Sequence, residues 1–373
     1  MISDQINRLS KITYFLYPLF KKILFLFPPE FSHDLSFKIL KILNQFSSLP
    51  WRERQSEGEA KDREGEKITI AGLNFINPIG LAAGLDKNGE YLDILSNSRF
   101  GFNFGFIEIG TVTPKAQLGN KKPRLFRLVK DQALINKMGF NNSGIDQLII
   151  NLKKSNFYKH KLNKTNPIIL GINIGKNLNT PIDQAISDYL IGLEKAFNYA
   201  DYITINISSP NTQDLRQLQT ENYLDHFLKN LKIKQAELEE KYSKKTPLFI
   251  KIAPDLSDQE IKTMSEIFLK NKIEGLIATN TLLNRPPLKT KHTEKLLGGL
   301  SGAPIFNQSL KTIQAFNLYL NHQIPMIGVG GIHSPEQAEL VLNSGADLIQ
   351  IYTGLIYEGP GLISNIIQSL RRL

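Results

Sequence analysis

Five or six polar side chains stand inside runs that are otherwise apolar. Glu108 interrupts Phe106–Thr111, Asn173 interrupts Pro167–Gly175, and Asn206 lies in Tyr202–Ser208. Lys251 lies in Leu248–Pro254, Asn280 closes Gly275–Asn280, and Gln350 lies in Leu348–Gly354. Side chains alternate faces along a strand. On that period Tyr202, Thr204, Asn206 and Ser208 share one face, opposite Ile203, Ile205 and Ile207. Lys251 shares a face with Phe249 and Ala253, and Asn173 with Gly171 and Gly175. An unpartnered neutral polar group costs on the order of 1–3 kcal/mol to bury, and a charge costs more. One such residue is ordinarily a satisfied core group; several converging on one rim call for a polar ligand. Lys251 admits two readings. It pairs with Glu108 across the interior, or it is a fixed positive charge beside an anion that develops on a bound cofactor.

Adding Pro78–Ala83 and Pro325–Gly331 gives eight strand-like runs alternating with helical segments. That is the count of a (β/α)8, or TIM, barrel, in which active sites sit at the C-terminal ends of the strands. Runs seven and eight end in Gly328-Val329-Gly330-Gly331 and Tyr352-Thr353-Gly354. The loops after these two strands commonly bind phosphate through backbone N–H groups. A third glycine loop, Gly298-Gly299-Leu300-Ser301-Gly302, reads as a mobile turn or a ligand contact. No G-x-G-x-x-G follows the first strand, so a Rossmann nucleotide fold is not supported.

The 373 residues suit a barrel plus an extension. The net charge of +10 is spread along lysine-rich helical stretches. Basic residues are not interleaved with aromatics on one face, so no nucleic-acid partner is expected; an anionic membrane surface suits the charge better. With no cysteine, disulfides, thiolate metal sites and cysteine nucleophiles are excluded. The six histidines show no metal-ligand spacing, so no metal is expected.

Three regions follow: 1–50, rich in Phe, Leu and Ile; a charged linker, 51–67; and the barrel, 68–373. The first region reads as two short helices parted by Pro28-Pro29. In the second helix, Ser32 and Asp34 stand at the start, and Phe31, Leu35, Ile39, Ile42, Leu43 and Phe46 share a face. Its uncharged runs, Ile12–Phe20 and Ile23–Pro29, fall short of the roughly 20 residues that span a bilayer. The pair either caps the barrel or lies in a membrane interface with Lys11, Lys21, Lys22, Lys38 and Lys41 near headgroups.

Ten motifs then occur in order: GLAAGLDKNGE (80–90), IEIGTVTPKAQLGNKKPRLFRL (107–128), INKMGFNNSG (135–144), LGINIGKN (170–177), INISSPNT (205–212), IKIAPDLS (250–257), IATNT (277–281), GGLSG (298–302), IGVGGI (327–332) and QIYTG (350–354). Together they resemble quinone-dependent (class 2) dihydroorotate dehydrogenases, and the residues near 17–46 (YPLFKKILFLFPPEFSHDLSF) resemble that class's N-terminal extension. The resemblance implies FMN in the barrel, oxidation of dihydroorotate to orotate in pyrimidine synthesis, and ubiquinone or menaquinone as acceptor. By itself Ser-Pro-Asn is a plain turn after a strand; the resemblance makes Ser209 the catalytic base, with a proton relay through Thr212. It places substrate contacts at Lys87, Asn136, Lys137, Met138, Gly139, Phe140, Asn206, Asn211, Asn280 and Thr281. It places cofactor contacts at Ala83, Gly84, Leu85, Asp86, Lys87, Thr111, Asn173, Asn206, Lys251, Thr279, Gly302, Gly331, Tyr352 and Thr353. Asparagine supplies both a donor and an acceptor, which suits an imide-like ring edge, and Lys87 suits a carboxylate. The cytosolic class uses a cysteine base, which this chain lacks.

Two departures touch no motif: a longer Asn97–Phe104 segment and the charged linker. No Arg-rich, acid-poor presequence is evident, so a monomer peripherally bound to the cytoplasmic face of a bacterial inner membrane is expected. Rival readings are another FMN barrel, such as a dihydrouridine synthase or a 2-hydroxy-acid oxidase with His333 as base, and an inactive membrane-tethered barrel.

Overall fold

The computed structural model describes residues 16–45, 68–212 and 215–372. Eight parallel strands close into a barrel, as the sequence predicts. In chain order the elements are a helix over 16–24 (α1), α2 (Pro29–Gln45), β1 (Ile68–Ile70), β2 (Leu73–Phe75), β3 (Ile79–Leu81), α3 (Leu92–Leu95), β4 (Phe106–Val112), β5 (Leu125–Leu128), β6 (Ala133–Asn136), α4 (Ile145–Lys154), α5 (Asn156–Leu162), β7 (Ile169–Ile174), α6 (Ala185–Ala196), β8 (Tyr202–Asn206), α7 (Glu221–Tyr242), β9 (Leu248–Ile252), α8 (Asp258–Lys270), β10 (Gly275–Ala278), β11 (Gly299–Gly302), α9 (Phe306–Leu320), β12 (Met326–Val329), α10 (Pro335–Asn343), β13 (Leu348–Ile351), α11 (Thr353–Glu358) and α12 (Gly361–Leu370). The barrel order is β3-β4-β7-β8-β9-β10-β12-β13.

The barrel strands read as near-continuous apolar runs because both faces are covered; every residue of β4, β7, β8 and β9 is buried. Helices pack outside through apolar stripes, such as Ile145, Leu148 and Leu152 of α4. Their starts are written locally. Ser257 and Glu260 form a reciprocal capping box on α8, and Ser334 caps α10 ahead of Pro335. Inside the barrel, Phe75, Phe106, Tyr202, Phe249, Ile277, Ile327 and Leu348 form an apolar plug. The β1–β2 hairpin seals this end, with the Phe75 ring edge-on to Phe106 at 5.3 Å. Polar chemistry is thereby confined to the other end.

A second sheet was not anticipated. β5, β6 and β11 pair antiparallel in the order β11-β6-β5. The Gly298–Gly302 loop, read as a mobile turn or a ligand contact, is β11 in large part, with Gly302 opposite Ala133.

The N-terminal region forms the expected two helices, but α2 begins at Pro29, before Ser32 and Asp34. Ser32 is not its cap: the Ser32 hydroxyl donates to the Leu24 carbonyl at 2.6 Å and ties α2 to α1. The buried face also differs from the predicted stripe. Ser32 and Phe37 are buried, the latter stacked on Tyr91 at 4.1 Å, whereas Phe31, Ile42 and Leu43 are exposed. Phe46, Lys11 and the linker 51–67 lie outside the described residues. The helices dock on the barrel through Tyr17 OH to the Ile356 carbonyl (2.7 Å), Lys21 Nζ to the Tyr357 carbonyl (2.7 Å) and Arg124 to Glu30 (2.9 Å). The longer Asn97–Phe104 segment has a structural use: the Asn97 amide donates to Asn44 Oδ1 at 2.9 Å and receives α2. Among the described residues no helix is long and apolar enough to cross a membrane.

Candidate active site

The C-terminal mouth of the barrel opens into a cleft of about 170 Å³. Its deepest polar layer is a chain of hydrogen bonds across neighbouring and next-but-one strands. Glu108 on β4 is fully buried and accepts from Asn173 Nδ2 (2.7 Å), Tyr202 OH (2.9 Å) and Gln350 Nε2 (2.8 Å). Above it Thr111 donates to Asn173 Oδ1 at 2.6 Å, and Asn206 Nδ2 donates to Thr111 Oγ1 at 3.0 Å. Lys251 enters this layer from β9, its Cα in register with Asn206. It forms no ion pair or hydrogen bond among the described residues, so the pairing with Glu108 is not made as a contact. Burial pushes the Lys251 ammonium below the ordinary lysine range, against the pull of the Glu108 charge.

The next layer comes from loops. Ser209 is buried just past the end of β8, and its hydroxyl accepts the Asn211 N–H at 3.3 Å. Asn211 donates to the Asn136 carbonyl (3.1 Å) and Oδ1 (3.2 Å), bridging the β8 loop to β6. Asn280 donates to Ser208 Oγ at 3.0 Å and accepts the Thr281 N–H at 2.8 Å. Lys87, in the loop after β3, donates to the Gly84 carbonyl at 2.8 Å. Its pKa is lowered to about 8, chiefly by burial and next by the Arg124 charge.

The third side of the cleft is backbone. Gly302 (φ +101) and Gly331 (φ +75) hold left-handed conformations. A Cβ would lie 2.3 Å from the Gln132 carbonyl oxygen at the first and 2.7 Å from the Phe306 backbone at the second. Thr353 begins α11 nearby, its hydroxyl 2.8 Å from Ser301 Oγ.

Ser209, Lys87, Asn136, Met138, Gly139, Phe140, Asn206, Asn211, Asn280 and Thr281 line this one cleft, as do Ala83, Gly84, Thr111, Lys251, Thr279, Gly302, Gly331, Tyr352 and Thr353. Four expected residues do not. Asn173 lies beneath the lining, and Lys137 lies outside it. Leu85 is buried in the core, and Asp86 accepts the N–H groups of Glu90 and Tyr91, so it shapes the loop. Leu125, Leu134, Ser301 and Ile305 line the cleft without having been anticipated; three of them belong to the unforeseen sheet. His333 sits away from the lining, against Tyr357 (rings 6.0 Å apart) and Glu358 (3.6 Å), which leaves no histidine base in the cleft.

Residues 66–373 match the family described as Dihydroorotate dehydrogenase. The chain belongs to that family. Among curated dihydroorotate dehydrogenases (quinone), it is 48% identical to that of Acinetobacter baylyi over 355 residues, covering 95% of this chain and 99% of the other. With that of Idiomarina loihiensis it shares 49% over 356 residues, covering 95% and 100%. A crystal structure of the dihydroorotate dehydrogenase of Eimeria tenella in complex with ferulenol superposes with a TM-score of 0.78 at 35% identity, covering 92% of this chain and 91% of that one.

Proposed function

We propose that this chain oxidises dihydroorotate to orotate for pyrimidine synthesis, with FMN as prosthetic group and a membrane quinone, ubiquinone or menaquinone, as acceptor. The observation that carries the reading is the convergence of Ser209, four asparagines and an unpaired buried Lys251 in one cleft. The residues present fit a flavin nucleotide. Lys251 offers a buried positive charge, the Gln350 Oε1 atom is buried without a partner among the described residues, and the backbone at Gly302 and Gly331 leaves no room for a side chain. Lys251, Thr111, Asn206 and Gln350 would hold the polar ring edge, and Gly302, Gly331 and Thr353 the phosphate. When bound, FMN supplies the acceptor for the hydride leaving C6 of dihydroorotate.

The chain's own residues do the rest. Lys87 binds the substrate carboxylate. Asn136, Asn206, Asn211 and Asn280 read the imide-like edge with matched donors and acceptors and add no charge. Their mutual hydrogen bonds fix them before substrate arrives, so little ordering is left for binding. Ser209 Oγ takes the proton from C5 while the C5–C6 double bond forms. A serine is a weak base, and Thr212, buried in the same loop, passes the proton toward solvent. The protein is a monomer held peripherally on the cytoplasmic face of a bacterial inner membrane, and α1 and α2 give quinone access from the lipid.

The test is the purified protein's spectrum. Bound flavin released as FMN, bleached anaerobically by dihydroorotate and restored by a quinone, is the expected result. Ser209→Ala should keep FMN and slow bleaching by the ~10²–10⁴ typical of a lost general base. Failure of dihydroorotate to bleach the wild type overturns the assignment.

A further inference from the structure

The inward-facing residues of the barrel strands include one acid, Glu108, and one base, Lys251. Glu108 is fully buried and Lys251 nearly so. Glu108 is not a cleft residue; it meets the cleft through Gln350, which lines the cleft and donates to it at 2.8 Å. Asn173 joins it to Thr111 and Asn206 in the same way. Both Glu108 oxygens accept from neutral donors, Asn173 on one and Tyr202 and Gln350 on the other. Three converging donors suit a carboxylate. Burial, with the Glu108 charge beside it, pushes the Tyr202 phenol well above its ordinary range, so Tyr202 keeps a proton to offer Glu108. The barrel therefore holds a fixed negative charge one residue below the cleft floor, opposite a fixed positive charge at that floor.

We propose that Glu108 is a positioning residue for the redox chemistry: a buried counter-charge that sets how strongly Lys251 favours electron acceptance at the cleft floor. The inference rests on FMN occupying this cleft. Two charges out of ion-pair contact do not cancel at close range. A group bound nearer Lys251 feels net positive potential, reduced by an amount fixed by the Glu108 position. Neutral hydrogen bonds spread over three strands hold the carboxylate there, so it cannot swing onto Lys251 and quench it. A site with Lys251 alone would favour electron uptake from dihydroorotate and then oppose release to quinone. Glu108 moderates the first step so that the second proceeds.

The experiment is Glu108→Gln in the full-length holoenzyme, with the flavin midpoint potential measured by dye equilibration across a range of pH. The amide keeps the shape and removes the charge. The expected result is a higher potential, at least tenfold in the reduction equilibrium, which is about 30 mV for a two-electron couple. Re-oxidation by quinone should slow while bleaching by dihydroorotate does not. A potential unchanged or lowered, with flavin bound, overturns the proposal. Should Glu108→Gln lose flavin, the doubly neutral Glu108→Gln/Lys251→Gln protein decides. If it binds flavin at a potential above that of Lys251→Gln alone, the counter-charge stands; a potential equal to or below that of the single variant overturns it. A wild type without FMN would instead defeat the reading on which this rests.

Discussion

A lysine in a carboxylate-binding cleft works only while it is charged. Lys87 is partly buried, and burial with the Arg124 charge lowers its pKa to about 8. The sign follows directly. Below that value the free protein carries an ammonium that attracts an anionic substrate; as pH rises through it the charge is lost. The acidic limb of kcat/KM should be insensitive to Lys87, whereas above about pH 8 kcat/KM should fall roughly tenfold per pH unit, the slope of one lost proton. The loss should appear in KM more than kcat, because a bound carboxylate restores the lysine pKa. Lys87→Met should weaken binding and remove this limb. A profile level well beyond pH 8 would refute the role. At this scale the motifs around Lys87, Ser209 and the asparagines made the cleft legible. What they could not supply was partnership. The suspected Lys251–Glu108 pair is absent as a contact because Asn173, Tyr202 and Gln350 on three other strands claim the carboxylate first.

Strands in a barrel announce themselves as apolar runs closed by glycine, and all eight were readable. The β5-β6-β11 sheet was not, for a physical reason. Its strands are four residues each and carry no sustained alternation, and β11 pairs with a segment far away in the chain. Local pattern cannot encode a pairing that only the closed barrel brings within reach. Glycine roles divide along the same line. The pair after β12 was expected at a phosphate site; Gly330 and Gly331 both line the cleft, and a Cβ at Gly331 would meet the Phe306 backbone. Gly331→Val places a β-branched residue at φ +75 with its Cβ 2.7 Å from the Phe306 backbone. Flavin affinity should fall by about tenfold or more, roughly 1.4 kcal/mol, with far-UV circular dichroism unchanged. Full flavin content in that variant would show that the loop after β12 does not hold the phosphate.

Two surfaces of opposite character meet on the N-terminal helices. Toward the barrel they present Tyr17, Lys21, Glu30, His33 and Phe37, each bonded to or packed on the body of the protein. Away from it they present Leu19, Phe20, Ile23, Leu26, Phe31, Ile42 and Leu43, all about half exposed or more, with Leu26 at 82%. A cap has no use for that outer face, and so many exposed apolar side chains on two short helices mark an interaction site. Too short to span a bilayer, the pair suits the headgroup boundary, where lysines contact lipid phosphate and the apolar side chains enter the acyl layer. A quinone dissolved in lipid then needs only a path past α1 and α2 to reach the barrel mouth. Removing residues 1–66 should leave a yellow barrel still bleached by dihydroorotate and re-oxidised by a small water-soluble dye. Turnover with long-chain ubiquinone should fall on the order of 10²-fold, as expected when positioning of a reactant is lost. Since truncation also uncovers barrel surface, a gentler variant separates the causes: Phe20→Asp with Leu26→Asp changes only outward side chains. It should keep dye-linked turnover and lose co-sedimentation with anionic lipid vesicles together with long-chain quinone activity. Normal vesicle binding and normal quinone kinetics in that protein would make the two helices a cap and nothing more.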